Sequence, residues 1–162
     1  MTPLVRAWIA LGANLGNPQA TLDRAFESIA RLPQTRLIAR SSLYRTAPID
    51  APDQPDYWNA VAAVDTALEP LDLLHALQKI EASHGRVREF RNAPRTLDLD
   101  LLMFGGITLD ADELTLPHPR MHLRAFVLAP LAEIDPDLAI PGVGRVASLL
   151  PAVRDQRIER VE

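Results

Sequence analysis

Two stretches of the chain carry the same order of signals: an apolar run, an amphipathic helical pattern, then further apolar runs. This repetition limits the fold more than any other feature. Val5 to Leu11 predicts a buried strand that ends at Gly12-Ala13-Asn14-Leu15-Gly16. Asn17 is an N-cap candidate with Pro18 at the first helical position. Leu22, Ala25, Phe26, Ile29 and Leu32 then recur at helical spacing until Pro33. Leu37 to Tyr44 predicts a strand, Arg45 to Asp56 with its three prolines a loop, and Tyr57 to Thr66 a second strand. The next helix opens at Pro70, with Leu71, Leu74, Leu77 and Ile80 as its expected buried face and Gly85 past its end. Arg86 to Arg95 has no periodicity and predicts a loop. Leu97 to Phe104 predicts a strand broken by Gly105-Gly106, and the tail from Met121 adds short helices, one around Val127 to Ile134.

The order β-α-β, β-α-β favours an α+β chain with a ferredoxin-like βαββαβ core. Its sheet is mainly antiparallel with both helices on one face, and the short C-terminal helices are additions. A length of 162 residues suits one domain, so 1–162 is expected to fold as a unit. The absence of cysteine excludes disulfides, thiolate zinc sites and cysteine nucleophiles. No stretch approaches the roughly 20 apolar residues of a membrane span, and the expectation is a cytoplasmic protein with no membrane partner. A net charge of −4 gives no sign of a nucleic-acid surface, so any anionic ligand must meet a local cluster of positive charge. Arg86, Arg88, Arg91 and Arg95, diluted only by Glu89, supply one.

Beside that cluster runs Arg95-Thr96-Leu97-Asp98-Leu99-Asp100-Leu101-Leu102. Strand alternation sends Leu97, Leu99 and Leu101 to the core and Asp98 and Asp100 to the opposite face. Two neighbouring carboxylates repel unless a cation lies between them, and Mg²⁺ suits one or two carboxylates plus phosphates and water. Without the arginines, a solvated polar strand face is the ordinary reading of such a pair. Metal plus guanidinium is what a polyphosphate needs. There is no G-x-x-x-x-G-K-[ST] and no G-x-G-x-x-G, so phosphates would be held by side chains and metal. Tyr57 and Asn59 share a strand face, and Phe126 can close from a later segment, which suits a flat heterocycle with a hydrogen-bonding edge. Each of these has a plainer reading too: Tyr57 and Phe126 as core, His118 as a turn residue, Gln78 and Glu81 as a solvated helix face.

The run Arg91-Asn92-Ala93-Pro94-Arg95-Thr96-Leu97-Asp98-Leu99-Asp100-Leu101-Leu102 resembles the signature of the 6-hydroxymethyl-7,8-dihydropterin pyrophosphokinase family. Gly12 to Gly16, Tyr44-Arg45-Thr46, Asp53 to Asn59, Gln78, Glu81, Gly85 to Arg88, Pro117-His118 and Arg124-Ala125-Phe126 agree in order and spacing, from about Leu4 to about Pro136. The resemblance implies transfer of pyrophosphate from ATP to the hydroxymethyl group of a reduced pterin in folate biosynthesis, by a monomer. It implies that Asp98 and Asp100 hold two Mg²⁺ ions and that Arg86, Arg95, Asp98 and Asp100 are catalytic. Arg86, Arg88, Arg95, His118 and Arg124 would surround the triphosphate, with Gln78, Glu81, Leu101 and Thr115 on or supporting the nucleotide side. Tyr57 and Phe126 would sandwich the pterin, Asn59 would bond its edge, and backbone near Thr46 and Ile49 would complete recognition. The loops Asp50 to Pro55 and Arg86 to Pro94 would close over the substrates. Asn92-Ala93, Glu113 and Pro119 depart from the family pattern. Two rival classes remain at this level: a metal-dependent phosphodiesterase and a non-catalytic ferredoxin-like module.

Overall fold

The computed structural model describes residues 3–14, 16–46, 56–84 and 97–161. Strand β1 (Val5–Ala13) leads to helix α1 (Pro18–Ala30), then to β2 (Thr35–Arg40), β3 (Tyr44–Thr46) and β4 (Tyr57–Thr66). Helix α2 (Pro70–Ser83) precedes β5 (Asp98–Phe104), the hairpin β6 (Leu109–Asp110) and β7 (Thr115–Leu116), and α3 (Ala125–Ile134). The chain ends through β8 (Ala139–Ile140), β9 (Gly144–Arg145), α4 (Val146–Leu149) and β10 (Glu159–Arg160).

The main sheet has six strands in the order β10-β3-β4-β1-β5, with β2 also paired to β4, and every pairing is antiparallel. The start of α1 was legible in chemistry. Asn17 Oδ1 accepts the Ala20 N–H at 3.1 Å, with Pro18 in the first turn of α1. Leu22, Ala25, Phe26 and Ile29 of α1 join Leu73, Leu77 and Ile80 of α2 on one face of the sheet, against Ile9, Leu11, Ala62, Val64, Leu99 and Leu101. The other face is covered by α3 and the tail, where Val127, Leu128, Leu131, Val146 and Val153 meet Trp8, Val61, Ala63 and Leu102. With both faces covered, the centre of β4 is a run of buried residues from Asn59 to Val64 and does not alternate with solvent.

Three expectations need correction. Strand β1 continues past Leu11, so Gly12 and Ala13 belong to the sheet. The expected single strand Leu37 to Tyr44 is split into β2 and β3, because Ser41 takes over the pairing with β4. Its N–H donates to Val61 O and its Oγ accepts the Val61 N–H, both at 2.9 Å. On α2 the buried stripe is Leu73, Leu77, Ile80 and Glu81, while Leu71 is exposed. Successive steps of three residues slip back around a helix, so Leu71 ends about 180° from Ile80 at about 100° per residue.

Glu133 ties α3 to the sheet edge. Its carboxylate accepts the Ser42 N–H at 2.9 Å, the Ser42 hydroxyl at 2.9 Å and the Tyr44 hydroxyl at 2.7 Å, with Arg160 at 3.6 Å. Burial pushes against ionisation of Glu133, but the Tyr44 and Ser42 hydrogen bonds outweigh it and hold the carboxyl below its usual range. Burial, and then Glu133, pushes the Tyr44 hydroxyl up to about 12. The signs follow by linkage. The Glu133 contribution is present above the ordinary carboxylate pKa and is lost as pH falls through the depressed value. The Tyr44 contribution is whole below the ordinary tyrosine pKa and is lost as pH rises towards about 12. Glu133→Gln is expected to cost about 1–3 kcal/mol at neutral pH. In urea melts taken from neutral to acid pH, the variant should lose less stability than the wild type. An equal acid loss in both proteins would exclude Glu133 as the titrating group.

Candidate active site

The sheet register gathers the candidate residues at one end of one face. Asp98 on β5 lies opposite Gly12 on β1, Gly12 lies opposite Asn59 on β4, and Asn59 lies opposite Tyr44 on β3. Two residues back along β1, Asp100 lies opposite Ala10. A carboxylate pair and an amide therefore share one face, separated by the smallest side chains available. The close approach at Gly12 is real: a Cβ there would stand 3.3 Å from Asn59 Oδ1. Asn59 is buried and donates to Thr46 Oγ1 at 3.3 Å, and Thr46 pairs with Tyr57. Tyr57 is exposed beside this amide.

A bulge in β5 sets the facing. Ile9 pairs with Leu101 but Trp8 pairs with Met103, so Leu102 is the additional residue. Leu97, Leu99 and Leu101 pack towards α1 and α2, whereas Leu102 and Met103 both pack towards α3. Asp98 is half-buried and Asp100 exposed, on the α3 side of the strand. Between them, the Leu99 N–H donates to Glu81 Oε2 at 2.8 Å. Glu81 is only 4% exposed, so it braces the backbone from which the aspartates project.

The Leu116–Pro117 peptide is cis, and the next residue, His118, donates its N–H to Leu102 O at 2.8 Å. Its Nδ1 accepts the Arg120 N–H at 3.2 Å, which leaves Nε2 as the protonated nitrogen of the neutral ring. Burial holds the imidazole below its usual range; Asp100 pulls the other way, and Arg124 and Arg120 add to the depression. His118 therefore sits within electrostatic reach of both Asp100 and Arg124. Arg124 precedes α3, and its guanidinium lies 5.4 Å from the centroid of the Phe126 ring.

Some candidates are not on this face. The Leu101 side chain is buried among those of α1 and α2. Gln78 is exposed on α2, on the helix side of the sheet, and Thr115 is exposed on β7, next to Leu116. Arg86, Arg88, Arg95 and Ile49 lie outside the described residues, as do the segments Asp50 to Pro55 and Arg86 to Pro94. Among the described residues, no group of three or more His, Asp or Glu side chains gathers to hold a metal, and no helix is long and apolar enough to cross a membrane.

The sequence model of the 7,8-dihydro-6-hydroxymethylpterin-pyrophosphokinase (HPPK) family matches residues 8–136, a span that holds every residue of this site. The chain belongs to the HPPK family. A 2-amino-4-hydroxy-6-hydroxymethyldihydropteridine pyrophosphokinase of Pseudomonas aeruginosa is 50% identical over 156 residues, covering 96% of each chain. The enzymes of that name from Haemophilus influenzae and Methylorubrum extorquens are 44% and 45% identical. They cover 96% and 98% of this chain and 97% and 100% of their own. The fold matches that of wild-type Plasmodium falciparum HPPK-DHPS with STZ-DHP, at a TM-score of 0.71 and 16% identity over 96% of this chain. That structure is much longer, and the HPPK chain described here spans 42% of it. In both cases the mixture of helices and antiparallel sheet is the same fold.

Sequence reasoning misses one contributor to the site. Gly12 reads as a turn residue, although a glycine inside an apolar strand signals close approach of another group.

Proposed function

We propose that the chain transfers pyrophosphate from ATP to 6-hydroxymethyl-7,8-dihydropterin, giving the pterin diphosphate and AMP, as a folate-biosynthetic enzyme of the cytoplasm. The observation that carries this reading is the cross-strand row in which Asp98 and Asn59 flank Gly12. The row brings a carboxylate and a buried amide close together on one surface, which supports a phosphate-and-metal site next to a heterocycle site.

Asn59 offers the pterin edge a donor and an acceptor, with Thr46 behind it, and in this reading backbone near Ile49 completes recognition. Tyr57 and Phe126 supply the two ring faces. On the nucleotide side, Asp98 and Asp100 would hold Mg²⁺, two ions in this reading. The donor set fits: two hard carboxylates face Gly12 and Ala10, so no bulky neighbour on β1 fills the space above them. The remaining ligands then come from phosphate oxygens and water. When bound, the metal neutralises phosphate charge and polarises the phosphorus under attack.

The protein's own groups do the positioning. Arg86, Arg88, Arg95 and Arg124 clamp the triphosphate oxygens, and His118 donates from Nε2. Leu101 reaches the nucleotide through its main chain. The Leu99 N–H turns away from β1 to Glu81, and strand alternation puts the Leu101 groups on the same outer edge. In this reading Gln78 and Thr115 serve the nucleotide side as well. The substrate hydroxyl attacks the β-phosphorus in line, the bond to the α-phosphate oxygen breaks, and AMP leaves. No side-chain nucleophile is needed, because in-line geometry and charge neutralisation supply the rate. Closure of the loops Asp50 to Pro55 and Arg86 to Pro94 excludes water from the transfer.

The sheet order supports a ferredoxin-like core in which β2 and β3 together occupy one strand position, with α1 and α2 on one face. In this reading 1–162 is a single domain that acts as a monomer, with neither nucleic acid nor membrane as partner.

Mass-resolved product analysis with the pterin, ATP and Mg²⁺, against an EDTA control, tests the proposal. The expected result is metal-dependent pterin diphosphate and AMP in equal amounts. ADP with a pterin monophosphate would instead mean an ordinary kinase, and AMP without a modified pterin would mean a phosphodiesterase.

A further inference from the structure

Helix α3 starts without a cap of its own. Arg124 occupies the N-cap position in an extended conformation, φ −122° and ψ 116°, and makes no side-chain capping bond. The first N–H groups of a helix have no intrahelical acceptor, and a Ser, Thr, Asp or Asn at this position would normally supply one. Arginine carries only donors.

The missing acceptor comes from the tail. Gln156 Oε1 accepts the Ala125 N–H at 2.9 Å, and Nε2 of the same amide donates to Leu123 O at 2.8 Å. One side-chain amide thus closes on both residues that flank Arg124, as a paired strand would. Gln156 is itself held. Its N–H donates to Val153 O at 3.0 Å, and Val153 is buried in the core beneath α3. Beyond it, Ile158 packs on the same core, and β10 pairs Glu159 with Arg45 and Arg160 with Tyr44 of β3. The clamp is therefore anchored on both sides, and it grips the one turn that carries Arg124 and Phe126. It also lies beyond residue 136, where the family match ends.

We propose that Gln156 is a positioning residue that sets Arg124 over the triphosphate and Phe126 over the pterin. This rests on the pyrophosphokinase reading. Capping from a distant residue leaves the N-cap position to an arginine, whose guanidinium can then face the ligand. Without the clamp, residues 123–125 lose both hydrogen bonds, and the first turn of α3 frays with the two site side chains on it.

The test uses Gln156→Met, which keeps the length of the side chain and removes both hydrogen bonds, and Gln156→Asn, which is too short to reach both partners. KM for ATP and for the pterin, kcat and the thermal midpoint are measured for each variant and the wild type, with kinetics taken well below every midpoint. Both KM values are expected to rise about ten-fold, with a smaller change in kcat, because ground-state placement of two binding groups is lost. A lower midpoint with unchanged KM values in the Met variant would mean a purely structural cap and overturn the proposal. If the Met variant does not fold, the Asn variant is judged by the same criterion. A wild-type protein that forms no pterin diphosphate defeats the pyrophosphokinase reading first, and that result is distinct from a failure of Gln156.

Discussion

Asp100→Ala is expected to lower kcat by about three orders of magnitude, the scale of a lost charge-stabilising group at a transferring phosphoryl centre. Asp100 is exposed on the α3 side of β5, opposite Ala10, so its removal opens no cavity, and stability should stay within about 1 kcal/mol of wild type. Asp98→Ala is expected to behave alike, with a larger effect on packing because Asp98 is half-buried. Single-turnover rates at several Mg²⁺ concentrations separate the causes. If the aspartates hold the metal, the Mg²⁺ concentration needed for half-maximal rate rises along with the loss. A folded Asp100→Ala protein with wild-type turnover would remove the metal-holding role from this residue.

The second large effect is expected at a residue that holds the backbone of β5. Glu81→Leu leaves the Leu99 N–H without its acceptor in a site only 4% exposed, which costs about 1–3 kcal/mol. The strand segment that loses this brace lies between the two aspartates. Turnover should therefore fall by about a hundred-fold, as for a misplacement on the order of 1 Å at a reacting centre. Glu81→Gln keeps an amide oxygen where the carboxylate stood and should retain more of both properties. Urea melts and kcat measured on the same preparations check the pair. Equal stability of the Leu variant and the wild type would show that the 2.8 Å bond contributes nothing.

The two variants show how differently residues of one site can be read. Asp98 and Asp100 were visible as chemistry because strand alternation is local: residues two apart share a face whatever the rest of the chain does. Glu81 was visible only as a possible supporting residue. Its partner, Leu99, is eighteen positions away and offers a backbone N–H, which no side-chain pattern announces. Leu71 of α2 falls outside the buried face for a related reason. Spacing by threes looks helical, but the face is set by what the helix packs against, and the sheet chose Leu73, Leu77 and Ile80.

By itself, the sequence determined the order of the longer strands and helices, the Asn17 and Pro18 start of α1, the alternation of Leu and Asp in β5, and the family, because all of these are carried by runs of residues close along the chain. The tertiary structure alone decided that Gly12 is the narrow point between Asp98 and Asn59. It also decided that Ser41 splits one expected strand into β2 and β3, and that Gln156 caps α3 from thirty-one residues away. In each of these a backbone group finds its hydrogen-bond partner across the fold, and every chain has the same backbone groups at nearly every position. Only the register of the strands and the docking of the tail select which of them meet.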